Sequence, residues 1–474
     1  MKKTLIRLVC MMLVILMAAS CVGCGDGNTA SGDANGDIYG DLTLDYDGTV
    51  DKDDTTTDDS NDADDDSTTN SSSSNDDVFK NIPKALKGTT VKVAHWGDEG
   101  GDQYQKLAKA FTKATNINVK WQLYNQTSYE SEILKQIAAD NGPDVIIIND
   151  HLPQTYEIAQ PLPSIFNVND GFWDKNISEH TKFNGKYYFV NSKNSPYTIG
   201  GVLVYNKKIF SQNGIKSPLD YYNEGNGNWS YEDLKQCMLD AKSKGFYGGI
   251  IDPTTIAAQM GASMFNYDAK SGKVSGSVTN EKLLAAVSYY AECRDEGLCG
   301  NYFIANFPSG NIAIALTDPY AIKYNGYLKD MSPSDFGAVM APNYYRGKKL
   351  EYLNSSIRGY GIAKQAKNVD GAYYFLRYFL DLDKYDDAGI QIFGNKEMQK
   401  FYTQTFLKEY NSKKVYYRNL QGPLNLVNSD WLHSKVWQDA RNVPAGQVAT
   451  SMEKNKQIVE SAVKEANKKL SSIK

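Results

Sequence analysis

From Thr89 onward the chain alternates between two hydrophobic periods. Val91 and Val93 recur at every second position, as on one face of a strand that ends at His95, Trp96 and Gly97. Tyr104, Leu107, Ala108 and Phe111 then follow the three-and-four spacing of one helix face. Val119, Trp121 and Leu123 return to strict alternation and are expected to point inward. A second helix is predicted to start at Thr127 or Ser128, with Glu130 closing a capping box from Thr127 and with Ile133, Leu134, Ile137 and Ala138 buried. Asn141-Gly142-Pro143 stops it, and Val145 to Ile148 is apolar on both faces, as in parallel sheets covered by helices on each side. A β-α-β-α-β succession of this kind predicts an α/β fold. Near the end of the chain, Ile458, Val459, Ala462, Val463, Ala466 and Leu470 predict one amphipathic helix, whose basic outer face reads as solvated surface.

Polar residues close two of these strands: His95-Trp96 after the first and Asn149, Asp150 and His151 after the apolar one. Ligands of open α/β sheets sit beyond the carboxyl ends of the strands, so both clusters become candidate binding residues. His151 is a poor metal ligand candidate, because no second His or Cys stands at ligand spacing.

The chain does not begin with this pattern. Lys2, Lys3 and Arg7 precede a short apolar run from Leu8 to Met17, the layout of an export signal too short to span a bilayer permanently. Its end, Ala18-Ala19-Ser20-Cys21, resembles the lipobox of bacterial lipoproteins, which implies cleavage after residue 20 and lipid attachment at Cys21; Cys24 is the weaker alternative. Gly25 to Asp77 carries 17 Asp against the single Lys52 and almost no large apolar side chain, so a disordered acidic tether over residues 21–80 is expected. Against the total of −5, the tether's charge of about −16 and the signal's +3 leave the folded body near +8. Within the tether, "TLDYDGTVDKDD" (Thr43 to Asp54) is similar to a calcium loop, but Thr43 takes the first ligand position and no amphipathic helix flanks it; a solvated linker is the simpler reading. Three cysteines fall in the body, and "CRDEGLC" leaves a Cys293–Cys299 disulfide and free thiols equally open.

The ordered landmarks of the body resemble one family. "FTKATNINVKW", "NGPDVIIIND", "FNGKYYFV", "GGVLVYNKKIFSQNGI", "NWSYEDLKQCMLDAK", "FPSGNIAIALTDPYA", "FGAVMAPNY" and "GYGIAKQAKNVDGAYYFLRYFLD" follow the order seen in extracellular solute-binding proteins of family 1, the maltose-binding-protein type of ABC importers. The resemblance spans nearly all of residues 89–470 and implies two α/β lobes with an interlobe ligand cleft. Lobe one is then expected at 88–196 and 342–382, and lobe two at 199–340 and 384–474.

Carried onto this chain, the resemblance implies a carbohydrate ligand, an oligosaccharide, and a site that combines aromatic faces with fixed polar groups. The implied contacts are Trp96 with Glu99, the strand-end trio Asn149, Asp150 and His151, Tyr197 and Thr198 at the first crossing, Asp318 and Tyr320 in "TDPYAI", Arg358 before the glycines of "RGYG", and Trp431. Asp150 has an N-cap role as its alternative. Trp121 reads as core, Trp229 as a staple before the Ser-Tyr-Glu-Asp helix start, and Trp173 is undecided.

The implied partners are the subunits of an ABC permease and, through the lipid alone, the outer face of the cell membrane. A monomer with no cofactor, metal or nucleic acid is expected. A sensor or glycan-binding lipoprotein would share the same fold and cleft, and a non-sugar solute is the remaining alternative ligand. The sequence contains no Gly-x-Ser-x-Gly, His-Glu-x-x-His or phosphate loop. A glycosidase needs only two carboxylates and has no compact motif, so the resemblance is what points away from an enzyme. The chain departs from maltose-type relatives at Ile148 to Leu152, where an aromatic and a charged pair are usual.

Overall fold

The computed structural model describes residues 75–472 except 97–101, 126–127, 150–155, 195–198, 301–303, 324–325, 349, 356–357, 394, 418–435 and 437–438; at 96, 102, 149, 354–355, 358 and 414–417 it describes the backbone alone. Strands β1 (Thr90–Trp96), β2 (Asn118–Tyr124), β3 (Val145–Asn149), β4 (Ala159–Gln160) and β5 (Phe189–Val190) come first. They are followed by β6 (Val202–Asn206), β7 (Tyr247–Ile250), the hairpin β8 (Phe265–Asp268) and β9 (Lys273–Gly276), β10 (Ile312–Thr317) and β11 (Phe336–Met340). The last three are β12 (Tyr352–Ser355), β13 (Arg358–Ala363) and β14 (Lys414–Tyr417).

Two mixed sheets organise the body. The first runs β2-β1-β3-β13-β4, with β5 also paired to β13, and the second runs β11-β6-β10-β7. The first begins as the expected parallel unit, since β1 pairs in parallel with both β2 and β3. It is completed by β13, which returns from far along the chain and pairs antiparallel to β3. Gly361 makes room for β5 on that strand: a Cβ there would lie 2.6 Å from the Phe189 ring and 2.8 Å from the Tyr188 carbonyl oxygen.

Asp144 is the knot of this sheet. Its buried carboxylate accepts the amide N–H groups of Lys92, Lys367 and Asn368, each at 2.8 Å, and so ties the start of β3 to β1 and to the turn after β13. The Asp of "NGPDVIIIND" is thus a sheet-assembling residue, and an unpartnered carboxylate in its place would be costly to bury.

Helix Asp102–Thr115 buries Leu107, Ala108 and Phe111, as its spacing predicts. The C-terminal helix, Lys456–Ser472, buries Val459, Ala462, Ala466 and Leu470, with Ile458 and Val463 packed beside them. Trp121 is an inward aromatic, its ring 5.8 Å from both Phe375 and Phe379. Trp173 is fully buried. Trp229 is a core residue whose Nε1 donates to the Met340 carbonyl at 2.9 Å, while Ser230 and Asp233 form the capping box of helix Tyr231–Ser243.

Several expectations fail locally. Leu123 is 49% exposed, at the end of β2, the edge strand of its sheet. The helix after it spans Tyr129–Ala138 with Ser128 as N-cap, and that cap makes no side-chain hydrogen bond; Thr127 lies outside the described residues. Its buried stripe is the narrow Tyr129, Ile133, Ile137 line, which turns Leu134 and Ala138 outward.

The tether ends earlier than expected, since Asn75–Lys80 form a short helix and Phe79 packs against Tyr374 and Tyr378. The β12–β14 ribbon joins 352–355, in the second crossing between the sheets, to 414–417, segments assigned above to different lobes. Cys237, Cys293 and Cys299 are buried free thiols, and burial pushes the proton affinity of all three up.

Candidate functional site

The sheet pairings collect the candidate residues at one edge of each sheet. In the first sheet, Arg358, the first residue of β13, is the register partner of Asn149, the last of β3. Parallel pairing of Val93 with Val145 carries Trp96 to the same end, where Tyr124 stands opposite it on β2. Tyr129 holds this end in shape: its buried hydroxyl accepts the Ile147 N–H at 2.9 Å and donates to the Ala94 carbonyl at 3.2 Å. Burial pushes its proton affinity well up, so the hydroxyl stays a donor. No periodicity singles out Tyr129, which reads as an ordinary first-turn helix residue.

In the second sheet, the parallel register of Ala315 with Ile250 brings the carboxyl ends of β10 and β7 to one edge. Asp318 follows β10 and caps the 3-10 turn Pro319–Ile322 by accepting the Tyr320 N–H at 3.0 Å. Its side chain therefore has a structural task as well as a place at the edge. The Tyr320 ring is half-buried, meets the edge of Tyr327 at 5.2 Å and has Lys323 Nζ 5.6 Å from its centroid.

Beside it lies a residue that the sequence reading passed over. Asp252 follows β7, caps helix Pro253–Gln259 through the Thr255 N–H at 3.0 Å, and pairs with Arg441 Nη2 at 2.5 Å. The signal for Asp252 was present, as an apolar strand ending in Asp-Pro, the same grammar as Asp318-Pro319.

The two edges are tied to each other. The chain leaves β5 at Val190 to enter β6 at Val202, and leaves β11 at Met340 to enter β13 at Arg358. Met340 and Thr317 are both register partners of Val202. Both crossings thus connect the Arg358–Asn149 edge to the Asp318–Asp252 edge, which is the geometry of a cleft between two lobes.

Of the residues proposed from sequence, the structure brings together Trp96, Asn149 and Arg358 on one side and Asp318 and Tyr320 on the other. Glu99, Asp150, His151, Tyr197, Thr198, Trp431 and Cys21 lie outside the described residues, as does the calcium-like stretch 43–54. Among the described residues no group of three or more His, Cys, Asp or Glu side chains is placed to hold a metal ion. A cavity of about 290 Å³ lined by Asn206, Lys208, Gln212, Phe246, Asp330 and Asp335 lies at the opposite edge of the second sheet, away from all of these residues.

Residues 96–383 match the family model of the bacterial extracellular solute-binding proteins. Over 145 residues the chain is 26% identical to the diacetylchitobiose binding protein DasA of Streptomyces coelicolor; the match covers 30% of this chain and about a third, 33%, of that curated relative. Among solved structures, the ABC substrate-binding protein of Listeria monocytogenes in complex with cycloalternan superposes with a TM-score of 0.58 at 17% identity, over 79% of this chain and 99% of that one. The galacto-N-biose-/lacto-N-biose I-binding protein of Bifidobacterium longum gives 0.59 at 14% identity, over 80% and 98%. These are two-lobe α/β folds, the architecture expected from the sequence. With its family model matched over most of the body, the chain belongs to the bacterial extracellular solute-binding proteins.

Proposed function

We propose that this protein captures a carbohydrate, an oligosaccharide, between its two lobes and hands it to the subunits of an ABC permease. The observation that carries this reading is the convergence of Trp96, Asn149 and Arg358 at one sheet edge with Asp252, Asp318 and Tyr320 at the edge joined to it. Aromatic faces and fixed hydrogen-bonding groups are what recognition of a sugar needs, and cleft closure requires no covalent step. The relatives support the ligand class, since those compared above bind diacetylchitobiose, cycloalternan and lacto-N-biose. The protein acts as a binder and not as an enzyme. It acts as a monomer held on the extracytoplasmic face of the cell membrane by a lipid on Cys21, with the acidic segment as its spacer.

The test is a thermal-shift and calorimetry screen with diacetylchitobiose, lacto-N-biose, maltotetraose, cycloalternan, uronate oligomers and a peptide control. A saturating ligand adds about 2 to 4 kcal/mol of stability. Stabilisation by peptides and by no glycan would overturn the carbohydrate reading.

A further inference from the structure

At the start of the first crossing the bodies built on the two sheets meet at a buried polar pair, Asp174 and Tyr410, each 3% exposed. Asp174 belongs to the first. Its N–H donates to the Asn191 carbonyl at 2.7 Å, and its carboxylate caps helix Lys175–His180 through the Asn176 N–H at 2.9 Å. Trp173, the residue before it, bridges to Ser192, whose hydroxyl donates to the Leu380 carbonyl at 2.6 Å.

Tyr410 belongs to the second. It ends a ladder of rings one helical turn apart, with Tyr402 and Phe406 at 5.5 Å and Phe406 and Tyr410 at 6.4 Å, packed in the cluster that covers one face of the second sheet. The ladder begins in a π-helical turn, Phe401–Phe406, an irregularity that re-aims side chains and is common at functional positions.

From this ladder two hydroxyls reach into the first body. Tyr402 donates to the Asn194 carbonyl at 2.9 Å, and Tyr410 donates to Oδ2 of Asp174. Both contacts fall on or beside 191–194, the start of the first crossing between the sheets. Burial pushes the Asp174 carboxyl up and the Tyr410 hydroxyl well up, with the positive charge of Lys193 opposing the shift on Asp174. The contact is a hydrogen bond in a poorly solvated place, where burial costs both groups and Asn176 adds a second bond to each, its N–H to Asp174 and its side chain to Tyr410.

We propose that the Tyr410–Asp174 hydrogen bond is a hinge latch, a pair of positioning residues that fixes the resting separation of the lobes and through it the affinity of the cleft. Ligand affinity depends on the fraction of molecules already in the binding-competent arrangement, so a residue that touches no ligand can set it. The inference rests on the cleft-closure reading above, but it is testable without any ligand, so the two fail separately.

The experiment measures the distance between spin labels at Lys113→Cys and Lys244→Cys, both exposed, in the full chain with Cys10, Cys21 and Cys24 changed to Ser. The three buried thiols stay unlabelled. Tyr410→Phe keeps the ring packing and removes only the hydroxyl, and is expected to shift the ligand-free distance by several ångström or to broaden it. Asp174→Ala is expected to reproduce that shift. Asp174→Asn, which still offers an oxygen to the hydroxyl and a cap to the helix, is expected to keep the parent distance. An unchanged distribution in Tyr410→Phe and Asp174→Ala, with or without a fall in melting temperature, shows a merely structural bond and overturns the proposal.

Discussion

Arg358 stands directly opposite Asn149 in antiparallel register, although 209 positions separate them in the chain. The strand that supplies Arg358 comes back from the second sheet, so closing the first sheet and assembling the candidate site are one event. Arg358→Ala is expected to weaken glycan binding by about 1.5 to 3 kcal/mol, the range for a hydrogen bond to a charged group, which is roughly ten- to a hundredfold in Kd. Melting temperature should barely move. Calorimetry with the best glycan from the screen checks this, and an unaltered Kd removes Arg358 from the site.

Tyr320 should contribute through its face more than its hydroxyl. Tyr320→Phe is expected to cost little, while Tyr320→Ala should lose on the order of 1 to 3 kcal/mol of binding. Gly326 offers a separate handle on the same turn, since a Cβ there would fall 1.9 Å from the Tyr320 carbonyl oxygen. Gly326→Ala must displace backbone, and is expected to lower affinity as Tyr320→Ala does without removing any side chain of the turn.

The segment before the body acts as a clip. Asn75 Oδ1 accepts from Arg377 Nε at 2.7 Å, Asp76 pairs with Lys384 at 2.5 Å, and the Phe79 ring meets Tyr378 edge-on at 5.6 Å. Arg377 is 3% exposed, so Asn75→Ala leaves a buried guanidinium N–H without that acceptor. About 1 to 3 kcal/mol of unfolding stability should be lost for Asn75→Ala, and a similar amount for Phe79→Ala. Asp76→Ala should cost less than 1 kcal/mol, because its carboxylate is largely in water. Urea unfolding ranks the three.

His180 predicts a pH dependence. Burial pushes its imidazole down to about 4 from an ordinary 6.5, with the Tyr267 ring edge-on at 6.4 Å. Above pH 6.5 the ring is neutral in the folded and the unfolded chain and contributes no slope. Between 6.5 and 4 the unfolded chain takes up a proton that the folded one refuses, so stability falls as pH falls, by at most about 3 kcal/mol. Asp174 and Asp381 have raised carboxyl groups and give the opposite sign, but they are present in both proteins of a comparison. His180→Gln should therefore lose less stability than the parent between pH 7 and pH 4 in urea titrations. Equal losses would place the ring in water.

By itself the sequence determined the elements and their class. The two-residue alternation of Val91 and Val93, the helical spacing of Leu107, Ala108 and Phe111, and the apolar run Val145 to Ile148 are local consequences of which faces must be buried, and they survive into the structure. The same local logic missed Leu123 and Leu134, because exposure depends on what lies alongside, and an edge strand or a narrow helix stripe is defined by its neighbours. Tertiary structure alone decided that Arg358 meets Asn149, that Asp252 joins Asp318 at one edge, and that Tyr410 reaches Asp174. Those pairs join segments far apart in sequence, and they meet only when later elements, β10 onto β7 and β13 and the helices after it onto the first sheet, return to strands laid down earlier. No period or spacing along the chain encodes such a meeting, since it depends on the register of sheets and the path of the crossings between them.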